Sequence, residues 1–330
     1  MTFLSRYSWL RTRRRYEVFF ILLVLPPIFL FIMFFTAKPE PPKVDLPLED
    51  DFLRRDLEFS EENRLALRAN RKWKECMRRE LSYVISDYLR TWQELEGKVQ
   101  HCAKSNDLWH IETAAISTNS DTIYYLPPAN NSLRGVIVRV GIGTNISIEH
   151  QLKKVFAQGT EFFGADPMFK TNADLFSSVG VYFPFAVGSQ SSINRAVIRI
   201  SRDNYARQNV IQIGLSTFLG NLVKRNVVDL LIIEGEGGEY NMLQELSMEG
   251  SVTERGVTVC QINIEFHRPT RPGDPREQKF LDILDLLARE GRYVILSAHN
   301  IGHYRIFLVN FDSELCRSRY IEHFYSNTLS

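Results

Sequence analysis

The sequence predicts a doubly wound α/β domain whose last strand runs against the others. Segments 135–140, 160–165 and 228–233 read as strands, each followed at once by glycine or acid, and 228–233 is apolar enough to be buried on both faces, as in a parallel sheet. Helical patterns at 149–158, 215–224 and 275–290 alternate with such strands. Two final apolar runs, 292–297 and 304–310, flank a turn containing Asn300 and Gly302, so they close the chain as an antiparallel hairpin.

The N-terminus has a different grammar. Arg6, Arg11, Arg13, Arg14 and Arg15 precede an uncharged apolar run at 18–35. A helix of that length rises about 27 Å, enough to cross a bilayer. Pro26 and Pro27 are tolerated in a spanning helix. The arginine bias predicts a cytoplasmic tail at 1–17 and an uncleaved signal anchor at 18–36. The chain is then a type II membrane protein of the endoplasmic reticulum or Golgi, with a lumenal C-terminal domain. A cleaved signal peptide is the alternative, but the run is long for one and its Phe35-Thr36-Ala37 exit lacks the small-x-small pattern. Residues 37–59, with Pro39, Pro41, Pro42 and Pro47 followed by Glu49-Asp50-Asp51, form a spacer stem.

The whole chain, 330 residues with net charge +1, offers no overall electrostatic case for nucleic acid. Four cysteines, with no C-x-x-C spacing, suit a lumenal protein with up to two disulfides of open connectivity. Cys260, inside an apolar strand, reads as a simple buried thiol. Asn130-Asn131-Ser132 is a glycosylation sequon on an expected exposed loop; Asn145-Ile146-Ser147, in the expected ligand loop, should stay bare.

Residues 60–104 read as a helical stem or cap, with Ser60 as N-cap. Trp73, Met77, Leu81, Val84, Tyr88, Trp92 and Leu95 recur at three- and four-residue steps. The stripe packs on its own domain; a homodimer through the stem is the alternative. The α/β domain then occupies 105–330, with its strand-helix pattern starting after Asn131. Thr160-Glu161-Phe162-Phe163-Gly164-Ala165 is its second strand, 180–187 its third, a hairpin follows near 196–201, and 256–266 precedes the last helix.

The first strand runs into Gly141-Ile142-Gly143-Thr144-Asn145 and then a helix. Glycines let the backbone approach a ligand, and a helix start presents free amides. Asp166 ends the second strand, 23 residues after Gly143, where a carboxylate can accept both ribose hydroxyls of a nucleotide. The plain alternative for Asp166 is a turn acid before Pro167. In 228–240 a buried strand breaks into three glycines and three carboxylates, Glu234, Glu236 and Glu239, at the carboxyl edge of the sheet. These acids can equally be there to favour the next helix N-terminus.

Gly141-Ile142-Gly143, Phe163-Gly164-Ala165-Asp166-Pro167, 183–188, 228–240 and Ile262-Asn263-Ile264-Glu265-Phe266-His267 resemble the FkbM-type methyltransferase family, more narrowly its membrane-anchored nematode branch. The likeness spans residues 105–311, and its most specific piece is Ile233-Glu234-Gly235-Glu236-Gly237-Gly238-Glu239. The resemblance implies a Rossmann-like, seven-stranded sheet of the S-adenosylmethionine-dependent methyltransferase type. It implies S-adenosyl-L-methionine as cofactor, with Gly141, Gly143 and Asn145 at its methionine and ribose end and Asp166 on the ribose hydroxyls. Glu234 stands where the family has its strand-end Asp, and Arg139 where it has an acid before the glycines; Glu149 is the residue placed to compensate for Arg139.

Methyl transfer needs in-line approach of a hydroxyl to a methylsulfonium, and a carboxylate can take the hydroxyl proton. Glu234 and Glu236 are the expected catalytic acids, with Glu265 and His267 as the other choice. His299 and His303 read as residues of the closing turn, and no metal is expected. The expected activity is O-methylation of a glycan, lipid or small hydroxylated metabolite. A catalytically silent binding domain is the alternative. A Golgi glycosyltransferase comes third, because no Asp-x-Asp motif occurs.

Overall fold

In a computed structural model the described residues are 60–326, apart from 119–120, 202–203 and 236. The expected tail, membrane anchor and spacer at 1–59 lie outside them. Among the described residues no helix is long and apolar enough to cross a membrane.

Helices α1 (Glu61–Ser82) and α2 (Tyr88–Ser105) begin at side-chain caps: Ser60 accepts from Asn63 N, and Asp87 from Arg90 N. The apolar stripe runs along both and faces inward. Trp73, Met77, Trp92 and Leu95 are buried in the core shared with the sheet, Trp92 meeting Phe280 and Tyr304 with ring centroids 4.9 Å apart in each case. The stripe thus packs on its own domain. Cys76–Cys102 ties the two helices, and Cys260–Cys316 ties the sheet to a C-terminal helix, so Cys260 is a disulfide partner rather than a buried thiol. Each closes a loop long enough to stabilise by about 3–4 kcal/mol through chain entropy.

The next elements are β1 (Ala114–Ser117), β2 (Thr122–Tyr125), β3 (Val136–Val140), α3 (Ser147–Val155), β4 (Glu161–Ala165), α4 (Phe169–Ser177) and β5 (Val181–Phe183). The stretch expected as one third strand divides at Pro184: β5 joins the main sheet, whereas β6 (Ala186–Gly188) joins a three-stranded sheet with β7 (Ser192–Ser201) and β8 (Asn204–Gly214). Proline carries no N–H for a central ladder, which accounts for the break. After a short helix ending in a π-turn at Phe218–Val223 come β9 (Val227–Val228), β10 (Leu230–Ile233), α5 (Glu239–Glu245), β11 (Thr258–Val259), β12 (Gln261–Phe266), α6 (Pro275–Glu290), β13 (Tyr293–Asn300), β14 (Tyr304–Asn310) and α7 (Glu314–Tyr320).

The main sheet is seven-stranded, ordered β13-β14-β12-β10-β3-β4-β5, with β14 antiparallel to both neighbours. Successive residues of β10 alternate between two cores: Leu231 and Ile233 face one, Leu230 and Ile232 the other. That alternation is the doubly wound arrangement. From β3 the chain steps outward to β4 and β5, then returns to place β10 on the opposite side of β3. The topological switch thus lies between β3 and β10, and the crevice beyond their carboxyl ends is where such sheets bind ligands.

The β1–β2 hairpin has no counterpart in the sequence reading. Side-chain amides of β12 hold it: Asn263 exchanges hydrogen bonds with Tyr124 N and O, and Gln261 with Leu126 N and O. This mimics a strand ladder and swings Asp121 over the strand ends.

Candidate functional site

The β3 end is built from backbone. Gly141 and Gly143 have φ of 82° and 64°. A Cβ on Gly141 would stand 2.0 Å from the Glu234 carbonyl oxygen, so only glycine lets the two strand ends approach this closely at the switch. A Cβ on Gly143 would meet nothing within 4 Å, and its requirement is the backbone angle alone. Asp166 turns into this loop: Oδ2 accepts from Ile142 N at 3.0 Å and Gly143 N at 3.2 Å, and Oδ1 from Met168 N at 2.7 Å. Burial pushes the Asp166 pKa up, and the amides of Met168, Gly143 and Ile142 pull it back. The structure thus brings Gly141, Gly143 and Asp166 into one turn. A carboxylate offers about four acceptor positions. Three are used by these amides.

Asn145 is not brought to that turn. It is exposed, and its Oδ1 accepts from Ser147 N at 2.9 Å and Ser147 Oγ at 2.6 Å, winding the start of α3. Asn172, on α4, is a further residue of this turn. It is fully buried beside Asp166, toward which its amide nitrogen donates, and its Oδ1 has no hydrogen-bond partner. A buried amide oxygen left without a donor costs about 1–3 kcal/mol. The polar edge of a bound nucleoside would relieve it. One signal was present: Asn172 sits one turn before buried Phe176, a polar residue on an apolar stripe.

The β10–β12 end is built from charge. Arg139, buried on β3, donates from Nη1 to Glu149 at 3.0 Å, from Nη2 to both oxygens of Glu234 at 3.1 and 3.2 Å, and from Nε to the Gly141 carbonyl at 3.0 Å. Asp121 lies 3.6 Å from the same guanidinium. The second cation, Arg305 of β14, meets Asp121 at 2.5 Å and Glu265 at 3.1 Å. Two guanidiniums therefore face four carboxylates. Desolvation works against the Arg139 charge, but Glu234, Glu149 and Asp121 outweigh it and its pKa rises. Desolvation pushes Glu234 up to about 8, against the pull of Arg139 and with a further push from Asp121 and Glu265. Glu149 does compensate Arg139, as the sequence suggested, but Glu234 is drawn into the same ion pair. The hollow bounded by Asp121, Glu234, Glu265 and Arg305 encloses about 10 Å³, the space of roughly one water. Glu236, the other expected catalytic acid, lies outside the described residues.

Glu239 has a positioning role. Fully buried at the start of α5, it accepts from Gly237 N at 2.7 Å, His267 N at 2.8 Å and His267 Nδ1 at 3.2 Å. His267 follows β12, so its ring is fixed at the sheet edge with Nε2 3.9 Å from Glu265 Oε1. The turn histidines part company. His299 lies 3.4 Å from Glu96 and stacks on Tyr124, whereas the His303 ring centroid is 4.6 Å from that of His267.

A family model described as "Methyltransferase FkbM domain" matches residues 88–295, more than half of the chain. The "Uncharacterized protein C28H8.7" of Caenorhabditis elegans is 26% identical over 257 residues, covering 76% of this chain and 79% of that protein. Among solved structures, the N-terminal domain of human METTL16 in complex with SAH aligns at TM-score 0.29 and 9% identity, over 56% of this chain and 64% of that one. This chain therefore spans somewhat less than two-thirds of that solved chain, and so distant a likeness carries no argument about the site.

Proposed function

The chain belongs to the FkbM methyltransferase domain family, and from that premise we propose that it is an S-adenosylmethionine-dependent O-methyltransferase. The observation that carries the reading is the turn in which Asp166 binds the amides of the Gly141–Gly143 loop at the switch between β3 and β10. The unpartnered amide oxygen of Asn172 beside it is the second sign that a polar ligand edge belongs there. When bound, the cofactor supplies an electrophilic methyl on sulfur. Gly141 and Gly143 admit it to the backbone, Asp166 and Asn172 hold its ribose side, and Glu234, raised toward neutrality, is placed to take a proton from an acceptor hydroxyl.

The acceptor is an alcohol of a glycan, lipid or small metabolite. We also propose type II anchoring through residues 18–36 with the domain in the lumen. The arginine-flanked apolar run, two disulfides and the exposed sequon at Asn130 support that placement.

Calorimetry on the full chain with S-adenosylhomocysteine is the test. We expect saturable binding below millimolar, weakened at least tenfold in Asp166→Ala with an unchanged circular-dichroism spectrum. No heat at millimolar ligand would overturn the reading. One observation favours a second reading, a domain that binds without transferring: Arg139 occupies both Glu149 and Glu234. Methyl transfer to any alcohol acceptor that disappears in Asp166→Ala would eliminate it.

A further inference from the structure

Three clusters of side chains in the described residues have the ligand types for a metal ion. Cys76, Glu80 and His101 form no such site, because Cys76 is in a disulfide. Asp121, Glu234 and Glu265 have their cations already, in Arg139 and Arg305. The third cluster, Glu265, His267 and His303, is different. Its ligand atoms all lie within 4.8 Å of one another, and it mixes two imidazoles with one carboxylate.

From this geometry we propose that Glu265, His267 and His303 bind a first-row divalent transition metal at the carboxyl edge of the sheet. The orientation of His267 carries the proposal. Its Nδ1 faces the carboxylate of fully buried Glu239, which also accepts the His267 backbone N–H. A carboxylate on one ring nitrogen is the arrangement found behind most metal-ligating histidines, where it orients the ring and turns the other nitrogen toward the ion. That other nitrogen, Nε2, faces Glu265 Oε1 across 3.9 Å. At 3.9 Å the two atoms are beyond hydrogen-bond reach, a separation that two ligand atoms of one ion can have. Glu265 is divided in the same sense: Arg305 binds Oε2, and Oε1 lies on the histidine side.

His303 completes the set from the turn before β14. His303 Nδ1 accepts from Arg268 N at 3.2 Å. Two imidazoles and one carboxylate favour zinc, cobalt or manganese over magnesium or calcium, and three protein ligands leave at least one position open. The ion would lie one strand from Glu234, since Glu234 and Glu265 share the second cluster. Its role in activating an acceptor oxygen rests on the methyltransferase reading; the metal site itself does not.

The test titrates the metal-stripped full chain with CoCl2 by visible absorption and with ZnCl2 by calorimetry. We expect one equivalent to bind, with the absorption of a nitrogen- and oxygen-ligated cobalt ion. His303→Ala, in a surface turn, should weaken binding at least tenfold, and His299→Ala should leave it unchanged. Absence of binding by the wild type up to millimolar metal, or equal affinity in His303→Ala, would overturn the site. S-adenosylhomocysteine calorimetry on the same preparations reports the cofactor site separately, so either proposal can fail alone.

Discussion

The two halves of the strand-end crevice are held in opposite ways. At the β3–β4 end one carboxylate, Asp166, is satisfied by three backbone amides from segments adjoining the two strands. At the β10–β12 end four carboxylates and two guanidiniums come from β3, α3, β10, β12, β14 and the β1–β2 hairpin, and each depends on the others. The first half is local and self-sufficient. The second is a network whose members are tolerable only together, because a buried charge without its partner is costly.

The largest effect expected from that contrast is at Arg139. Arg139→Met leaves Glu149, itself 1% exposed, without its cation, and Glu234 and Asp121 with less. We expect a loss of about 3–5 kcal/mol, measured by urea unfolding of the full chain. Asp166→Asn, which keeps one acceptor oxygen for the loop, should cost about 1–2 kcal/mol. Equal costs for the two variants would abolish the distinction between the halves.

Legibility in the sequence divides along the same line. Gly141, Gly143 and Asp166 were readable because strand, glycine pair and strand-end acid recur at a spacing that the chain itself displays. Most strands, the α6 helix and the closing hairpin were readable from apolar runs and turn residues for the same reason. The charge network around Glu234 was not, apart from the pairing of Glu149 with Arg139. Asp121 reaches the site only because Asn263 and Gln261 hold the β1–β2 hairpin with their side chains, an attachment without hydrophobic periodicity. Arg305 arrives through the register of β14 on β12, where it stands opposite Glu265. His303 looked like a turn residue beside His299, and only the fold sends one to Glu96 and the other to His267. Single-sequence patterns report neighbours along the chain; a charge network is made of neighbours across it.

The two halves touch at Gly141, and the glycines sharpen the comparison there. Gly143→Ala meets open space and should cost only the left-handed backbone, about 1–2 kcal/mol. Gly141→Ala adds a side chain 2.0 Å from the Glu234 carbonyl, so the β10 end must move as well. Overpacking adds about 1–3 kcal/mol to the backbone term. Thermal unfolding of the pair separates the two contributions. The wedge should also disturb the Arg139–Glu234 contact, making Gly141→Ala and Glu234→Gln non-additive, whereas Gly143→Ala and Glu234→Gln should add. Additivity in both pairs would mean that the halves are mechanically independent.

The smallest effect is the most discriminating about Glu234. Its pKa moves from an ordinary 4.5 to about 8 on folding, chiefly through desolvation. Between those values the unfolded chain has released the proton that the folded chain keeps. The unfolded state then binds fewer protons, so stability falls as pH rises through the window. Glu234→Gln has nothing to ionise and keeps an oxygen for Arg139. Relative to it, the wild type should lose about 1–2 kcal/mol between pH 5.5 and 8.5, the full shift being discounted because a quarter of the side chain is exposed and Arg139 opposes it. Urea midpoints of the two proteins across that range measure the difference. The opposite slope, with the wild type gaining on the variant as pH rises, would mean that Arg139 holds Glu234 ionised in the folded chain. The carboxylate would then be a fixed counter-ion, unable to exchange a proton with an acceptor near neutrality, and the base would have to be sought one strand over, at Glu265 or His267.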